Sequence, residues 1–539
     1  MIRSEGMRME RFAGGVLLLW GARRAALAVL AGAIAALALP PVGFFAAMFV
    51  SFTLLVWLID GTTGNPERNN SLGLRSAFTL GWLFGFGYFV AGLWWLGNAL
   101  LLEADEFAWA LPLAILGLPA VLAIFYGLAT VIARLLWSDG VGRIAALAAG
   151  FGIAEWLRSV VATGFPWNAI GYGAMPIPLM MQSAYVFGTF GVSALAVFVF
   201  ATPALLGTRK GLAPGMLLAV GLVAGHLGFG AYRLYVAPPL PQMDKPVTVR
   251  LVQPAIDQSQ KLENTDRVEI FEKHLALTAA PPADGKPRPD VIIWPETSVP
   301  FILTENPDAL VRIADVLQDG QVLLAGAVRS EVQGAGLAPR YYNSVYMIDD
   351  KGQILGASDK VHLTPFGEYV PFEDWLRQLG IEELISLPGG FSPAVSRAVL
   401  TLPAGLGLYP LICYEIIFPG EIEPRLGGAS AILNITNDAW FGMTPGPYQH
   451  FLQARIRAVE LGVPVIRDAN NGISAVIDPL GRIVDGLALG SEGALDATLS
   501  VDNLPISGGW RHNLNFWLVF GCLGLWAFIS RMGFIRGKN

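Results

Sequence analysis

PLICYEIIFPG, residues 410–420, is apolar on both flanks and closes on Pro-Gly, the pattern of a buried strand that runs into a turn. Into that strand the sequence sets Cys413 and Glu415. Residues i and i+2 of a strand share a face, so a thiol and a carboxylate are expected side by side at its C-terminal end. The chain has 539 residues and two cysteines, and Cys413 is one of them. On position alone it is either a buried structural cysteine or a reactive one.

Further runs of this kind lie on either side: PVTVRLVQ (246–253), DVIIWPE (290–296), QVLLAGAV (321–328), YYNSVYMID (341–349) and SAILNIT (430–436). Helical patterns separate some of them, at 266–278, 306–318 and 448–462. Near-continuous apolar strands alternating with helices predict a layered α/β domain over residues 245–505, with its sheets covered. PPLPQ at 238–242 reads as a hinge before it.

Outside that domain the chain is far more apolar. Hydrophobic residues make up 54% of the whole and charged ones 14%, against roughly 25% charged in an average soluble protein. A membrane-spanning helix needs about 20 mostly apolar residues. About eight stretches qualify: 24–40, 42–59, 76–101, 109–136, 143–162, 178–206, 212–235 and 513–532. The expected architecture is a transmembrane domain over 12–237 with seven spans, the α/β domain over 245–505, and a C-terminal transmembrane helix over 513–532. The first stretch also has the outline of a signal peptide, with Arg23 and Arg24 before it and Ala36-Leu37-Ala38 at its end; the second span close behind it favours an uncleaved anchor.

Basic residues set the orientation. Arg3, Arg8, Arg11, Arg23 and Arg24 precede the first span. Further basic residues fall between spans two and three, four and five, and six and seven, and after the last. The alternate loops are acidic (LLEADE, 101–106) or uncharged (164–178). Both termini are therefore expected in the cytoplasm and the α/β domain outside it. There Cys413 is exposed to oxidising conditions, where an unused thiol is a liability, while Cys522 lies inside the last span.

Reactive residues gather at strand ends. DVIIWPE ends on Glu296, LYPLICYE carries Cys413-Tyr414-Glu415, and SDKVHLTPFGEYVPF (358–372) between them supplies Lys360 and Glu368. A glutamate, a lysine and a cysteine suffice for acyl transfer through a thioester. The glutamate takes the thiol proton, and the lysine ammonium stabilises the oxyanion. A neighbouring Lys⁺ is also expected to favour the thiolate over its free pKa of about 8.5. Taken singly, each charge also fits a cap, a surface charge or a salt bridge.

The surrounding words go further. WPET, DKVHLTPFGEYVPF, ICYE and NITNDAWFG, in this order, resemble the nitrilase (carbon-nitrogen hydrolase) superfamily. With TGFPWNAIGY (163–172), QHFLQARIRAVEL (449–461), RDANNGISAVIDPLG (467–481) and spans on both sides, the chain resembles one membrane branch, the apolipoprotein N-acyltransferases. The resemblance implies a nitrilase-like α-β-β-α sandwich with Cys413 as nucleophile, Glu296 as general base and Lys360 as oxyanion stabiliser. Glu368, Glu415 and Tyr414 would support them. It also implies the substrates: a phospholipid acyl donor such as phosphatidylethanolamine, and the N-terminal amine of diacylglyceryl-modified apolipoproteins as acceptor, at the bacterial inner membrane with the catalytic domain periplasmic. The alternative is a membrane-anchored carbon-nitrogen hydrolase, in which water attacks the thioester.

Residues 363–392 carry Phe366, Tyr369, Phe372 and Trp375 among few charges. They form either a core insertion or an interfacial arm lying on lipid; Trp440 and Phe441 are expected as a second lipid contact. The five histidines are scattered without metal-ligand spacing, and no phosphate-binding or dinucleotide motif occurs, so no cofactor or metal is expected. The net charge of −6 gives no sign of nucleic-acid binding. Glu155 and Arg158, at i and i+3 within a span, are expected as an internal ion pair or as a headgroup contact near the outer mouth.

Overall fold

The computed structural model describes residues 2–62, 73–236, 246–262, 266–282, 285–334, 337–371, 390–419, 428–499 and 509–536. They fall into two compact units, one from 1–237 with 509–539 and one from 238–508.

The first unit is helical. Its longer helices are α1 (Ile2–Leu17), α2 (Gly21–Ala35), α3 (Ala47–Asp60), α4 (Leu74–Leu93), α5 (Leu118–Leu135), α6 (Val141–Val160), α7 (Ala184–Ala201), α8 (Leu212–Ala231) and, after the second unit, a long C-terminal helix, Gly509–Arg536. Six helical stretches among the described residues are long and apolar enough to cross a membrane: Gly21–Ala38, Leu74–Leu101, Ala104–Leu135, Ala184–Gly207, Leu212–Val236 and Asn513–Arg536. The other two expected spans are α3, with 14 residues, and α6, which carries Arg143, Glu155 and Arg158. Glycine lets helices touch backbone to backbone. A Cβ on Gly32 of α2 would lie 1.8 Å from the Phe84 carbonyl of α4, and one on Gly87 of α4 would lie 2.0 Å from the Val29 carbonyl of α2. Close small-residue contact of this kind is how helices pack in lipid, where burial against water gives no drive. Glu155 and Arg158 form the expected ion pair at 2.8 Å, fully buried. Arg158 also donates to the carbonyls of Phe165 and Trp167, pinning the loop that follows α6.

The second unit is a sandwich of two six-stranded sheets. One holds β1 (Val247–Gln253), β2 (Val291–Val299), β3 (Val322–Glu331), β4 (Arg340–Asp349), β5 (Ile354–Asp359) and β12 (Gly493–Leu499), in the order β12-β1-β2-β3-β4-β5. The other holds β6 (Leu400–Thr401), β7 (Gly407–Ile412), β8 (Ala431–Thr436), β9 (Val465–Ala469), β10 (Ser474–Ile477) and β11 (Ile483–Leu487), in the order β11-β10-β9-β8-β7-β6. The inner faces meet in a core that includes Leu251, Ile293, Leu324, Leu408, Leu433 and Ile466. The outer face of the first sheet buries Ile292, Trp294 and Leu323 under Phe271 and Leu275 of α9 (Arg267–Ala279) and Ile313 of α10 (Pro307–Val316). Strand β2 thus buries both faces, which is why its sequence reads as an unbroken apolar run. On the far side, α11 (Pro445–Leu461) packs on β9 and on the turn after β7. Thr444 caps α11 by accepting from the Gly446 N–H at 3.3 Å, and Gly462, at φ +70°, ends it. The second unit is thus the expected α-β-β-α sandwich, and the first is helical.

Strand β7 ends at Ile412, three residues earlier than the apolar run suggests. Cys413 takes φ +51°, and residues Cys413–Ile417 form a 3-10 turn. The shared-face reading of Cys413 and Glu415 is therefore corrected. The left-handed residue stops the strand, and the Glu415 carboxylate folds back to accept from the Ile412 N–H at 2.8 Å.

Candidate active site

Parallel strands β1, β2 and β3 of one sheet and β7, β8 and β9 of the other bring their C-terminal ends to one side of the sandwich. Glu296 lies on β2, Lys360 directly after β5, and Cys413 directly after β7. The three meet. Glu296 accepts a hydrogen bond from the Cys413 thiol, and Lys360 Nζ stands 3.7 Å from Glu296 Oε1. Lys360 also pairs with Glu368 Oε2 at 2.8 Å.

Polar side chains and backbone hold this set in place. Asn343 on β4 donates from one Nδ2 to Glu296 Oε1 and to Glu368 Oε1, each at 2.8 Å. The Asn437 N–H reaches Glu296 Oε2 at 2.9 Å, and the Thr364 N–H reaches Glu368 Oε2 at 2.7 Å. Glu415 works on the other flank. Its Oε1 accepts from the Val361 and His362 N–H groups, both at 2.9 Å, and from Arg397 at 2.6 Å. One carboxylate therefore ties the lysine loop to the cysteine turn. Tyr414 packs its ring edge-on against Phe418 at 5.0 Å, next to His362.

The backbone is strained here. Among the described residues of this unit, the non-glycine residues with positive φ are Ala255, Thr297, Phe366 and Cys413. Thr297 follows Glu296, Cys413 carries the thiol, and Ala255 donates to Asn470, whose side chain donates to Asn437. Such conformations cost about 1–3 kcal/mol each and persist where the surroundings over-determine them.

Electrostatics corrects a second expectation. Cys413 is half-buried as a residue, and the pKa of its thiol lies far above the ordinary value. Burial in the pocket is the main cause and the Glu296 charge the next, while Lys360 opposes both. Lys360 does not outweigh burial and the Glu296 charge, so it leaves no resting thiolate. Burial alone would lower the Lys360 pKa, but Glu368 and then Glu296 raise it, so its ammonium persists. The Glu296 carboxyl is raised by burial, pulled down by Lys360 and pushed up again by Glu368. A neutral thiol therefore faces a carboxylate of heightened basicity, the arrangement of a general base and its nucleophile.

Of the residues expected at lipid, Phe366 is 61% exposed at φ +62°, Tyr369, Trp440 and Phe441 are half-buried, and Phe372 and Trp375 lie outside the described residues. Sequence reasoning missed Asn343, Asn437, Thr436, whose side chain hydrogen-bonds the Cys413 thiol, and Lys261. The last lies in Gln258–Leu262 on another side of Glu296, with its pKa lowered by burial to about 8.

Two family models match this chain. Residues 248–504 match the carbon-nitrogen hydrolase family, and residues 31–202 match the apolipoprotein N-acyltransferase N-terminal domain. An amidase from Nesterenkonia sp. of known structure is 18% identical, covering 49% of this chain and 94% of its own, with a TM-score of 0.33. The apolipoprotein N-acyltransferase of Allorhizobium ampelinum is 68% identical, covering 98% of this chain and all of its own. That of Agrobacterium fabrum is 66% identical over the same shares. The chain belongs to the apolipoprotein N-acyltransferase family.

Proposed function

We propose that this protein transfers a fatty acyl chain from a membrane phospholipid, with phosphatidylethanolamine as the donor, to the N-terminal amine of diacylglyceryl-modified apolipoproteins. Residues 245–505 form the catalytic domain, placed in the periplasm. Residues 12–237 and 513–532 anchor it in the inner membrane with both termini cytoplasmic. The observation that carries the reading is the meeting of Cys413, Glu296 and Lys360 in a chain 68% identical to an apolipoprotein N-acyltransferase.

The chemistry runs in two halves. Glu296 takes the Cys413 proton as sulfur attacks the donor ester carbonyl, and Lys360 stabilises the tetrahedral oxyanion. Collapse breaks the ester C–O bond, Glu296 returns the proton to the leaving lysophospholipid oxygen, and an acyl thioester remains. The acceptor amine then attacks the thioester, loses a proton to Glu296, and leaves as an amide while the thiol is regenerated. Asn343, Glu368 and Glu415 orient these groups. Keeping the reaction on the bilayer has a physical reason: at about 0.8 kcal/mol per CH₂, drawing a ~16-carbon chain into water would cost on the order of 12 kcal/mol.

The test is a transfer assay. Purified protein in phosphatidylethanolamine vesicles, given a synthetic diacylglyceryl-cysteine lipopeptide, should raise the peptide mass by one acyl group and release lysophospholipid in equal amount. Free fatty acid as the main product, with the peptide unchanged, would assign the hydrolase instead.

A further inference from the structure

His450 lies on α11 and belongs to a cluster for which the mechanism above has no use. Its Nδ1 is 2.8 Å from Asp438 Oδ1, and Asp438 Oδ2 accepts from Arg467 Nη2 at 2.7 Å. Thr436 donates to Asp438 Oδ1 at 3.1 Å, and Arg467 also donates to Asn434. All five side chains are wholly buried. Burial would raise the Asp438 carboxyl, but Arg467 and then His450 bring it down to about 2, so a carboxylate and a guanidinium are locked under the sandwich.

The cluster touches the nucleophile through the Thr436 side chain, which hydrogen-bonds the Cys413 thiol, and through two contacts to the backbone on either side. Asn434 Nδ2 donates to the Leu411 carbonyl at 2.8 Å, and His450 Nε2 stands 3.2 Å from the Cys413 carbonyl. Between these two points the chain leaves β7 and turns to φ +51° at Cys413. A bulky residue keeps such a conformation only where its neighbours hold it there. We propose that His450 is a positioning residue for acyl transfer: it clamps the Cys413 carbonyl and so holds the backbone turn that presents the thiol to Glu296.

The neighbours also bias the ring's proton. The Cys413 carbonyl can only accept, so that contact needs the proton on Nε2. Arg467 Nη2 lies 3.1 Å from Nδ1 and can only donate, which favours Nδ1 as an acceptor. Asp438 Oδ1 competes for a proton at Nδ1. The Nδ1 proton favoured by Asp438 Oδ1 at 2.8 Å thus competes with the Nε2 proton needed at the Cys413 carbonyl, and Arg467 at 3.1 Å from Nδ1 opposes the first of the two. Burial and Arg467 lower the His450 pKa while Asp438 raises it, and the net effect favours a neutral ring with one proton to place.

The inference rests on Cys413 being the nucleophile, and its test separates the two claims. In the full chain carrying Cys522→Ser, alkylation of Cys413 by iodoacetamide is followed by intact mass, alongside acyl-adduct formation from phosphatidylethanolamine. His450→Gln places an amide donor near the Nε2 position and should stay close to the parent rate. His450→Asn reaches Asp438 but falls short of Cys413, and should slow both reactions by about 10²-fold, the effect of an ångström-scale misplacement. Equal slowing in the two variants, or a folded Asn variant reacting at the parent rate, would overturn the clamp. Should the Asn variant not fold, Arg467→Lys must slow alkylation at an unchanged unfolding midpoint, and a parent rate there overturns it equally. Loss of the acyl adduct in every protein, with the alkylation differences intact, would instead refute the acyl-transfer reading.

Discussion

Glu155, in the helical unit, has an arginine at 2.8 Å, whereas Lys360, in the α/β unit, is shared between Glu368 at 2.8 Å and Glu296 at 3.7 Å. Both clusters are buried, and both are hydrogen-bonded. Around Glu155 the charges cancel: Arg158 takes one oxygen, the Tyr126 hydroxyl donates to the other at 2.5 Å, and the guanidinium continues to two loop carbonyls. Around Lys360 they do not cancel. Two carboxylates and a thiol surround one ammonium, and the thiol and Glu296 both hold protons more tightly than usual. A matched pair fixes a loop; a mismatched one leaves a proton to be moved.

The contrast is broken most severely at Glu296. Glu296→Gln keeps the hydrogen-bonding shape but cannot take the thiol proton, and thioester formation should fall by about 10²–10⁴-fold. The sign of the pH dependence follows from the raised carboxyl. As the proposed base, Glu296 works ionised, so acylation by the parent protein is expected to be lost as pH falls through a value above the roughly 4.3 of a free glutamate. A pH profile of adduct formation should show that limb, and the residual activity of the Gln variant should lack it.

Lys360→Met comes next. Two carboxylates and a developing oxyanion then share a pocket without the ammonium, and the rate should drop about 10²–10³-fold. The acid limb should also move to higher pH, because Lys360 holds the Glu296 value down. An unshifted limb would mean that the two do not communicate.

Glu155→Gln should act on the fold instead. Removing one partner of a buried pair typically costs about 3–5 kcal/mol, so the unfolding midpoint should fall while adduct formation per folded molecule stays at the parent rate. Altered acyl-donor use at full stability would make Glu155 and Arg158 a substrate contact, against the comparison drawn here. The smallest effect belongs to Phe366→Ser. Partial insertion of one ring into lipid is worth on the order of 1 kcal/mol, so the lipid concentration for half-maximal acylation should rise about five-fold.

Much of this architecture is legible in the sequence, and physics explains the rest. Strands β2, β7 and β8 bury both faces and announce themselves as apolar runs. Strand β9 is buried too but is no apolar run, because VIRDA carries Arg467, paired with Asp438 29 positions back, and Asp468, which accepts from Ser474. Strands β5 and β11 are partly exposed at sheet edges and lack a continuous apolar run. At the site, Glu296, Lys360 and Cys413 stand at readable strand ends. The residues that orient them do not: Asn437 is 141 positions from the carboxylate it holds. His450 looks like one of five scattered histidines until the fold sets it against the Cys413 carbonyl. Local pattern also overran β7, since no periodicity reveals that Cys413 leaves the strand in a left-handed turn.

The most direct test of the account is the intact mass of the full-length protein after incubation with phosphatidylethanolamine vesicles, beside a Cys413→Ala control. The account predicts one hydroxylamine-labile acyl adduct that requires Cys413 and is discharged by a diacylglyceryl lipopeptide faster than by water. An adduct that survives in the Ala variant, or none in folded protein that still acylates the lipopeptide, would contradict it.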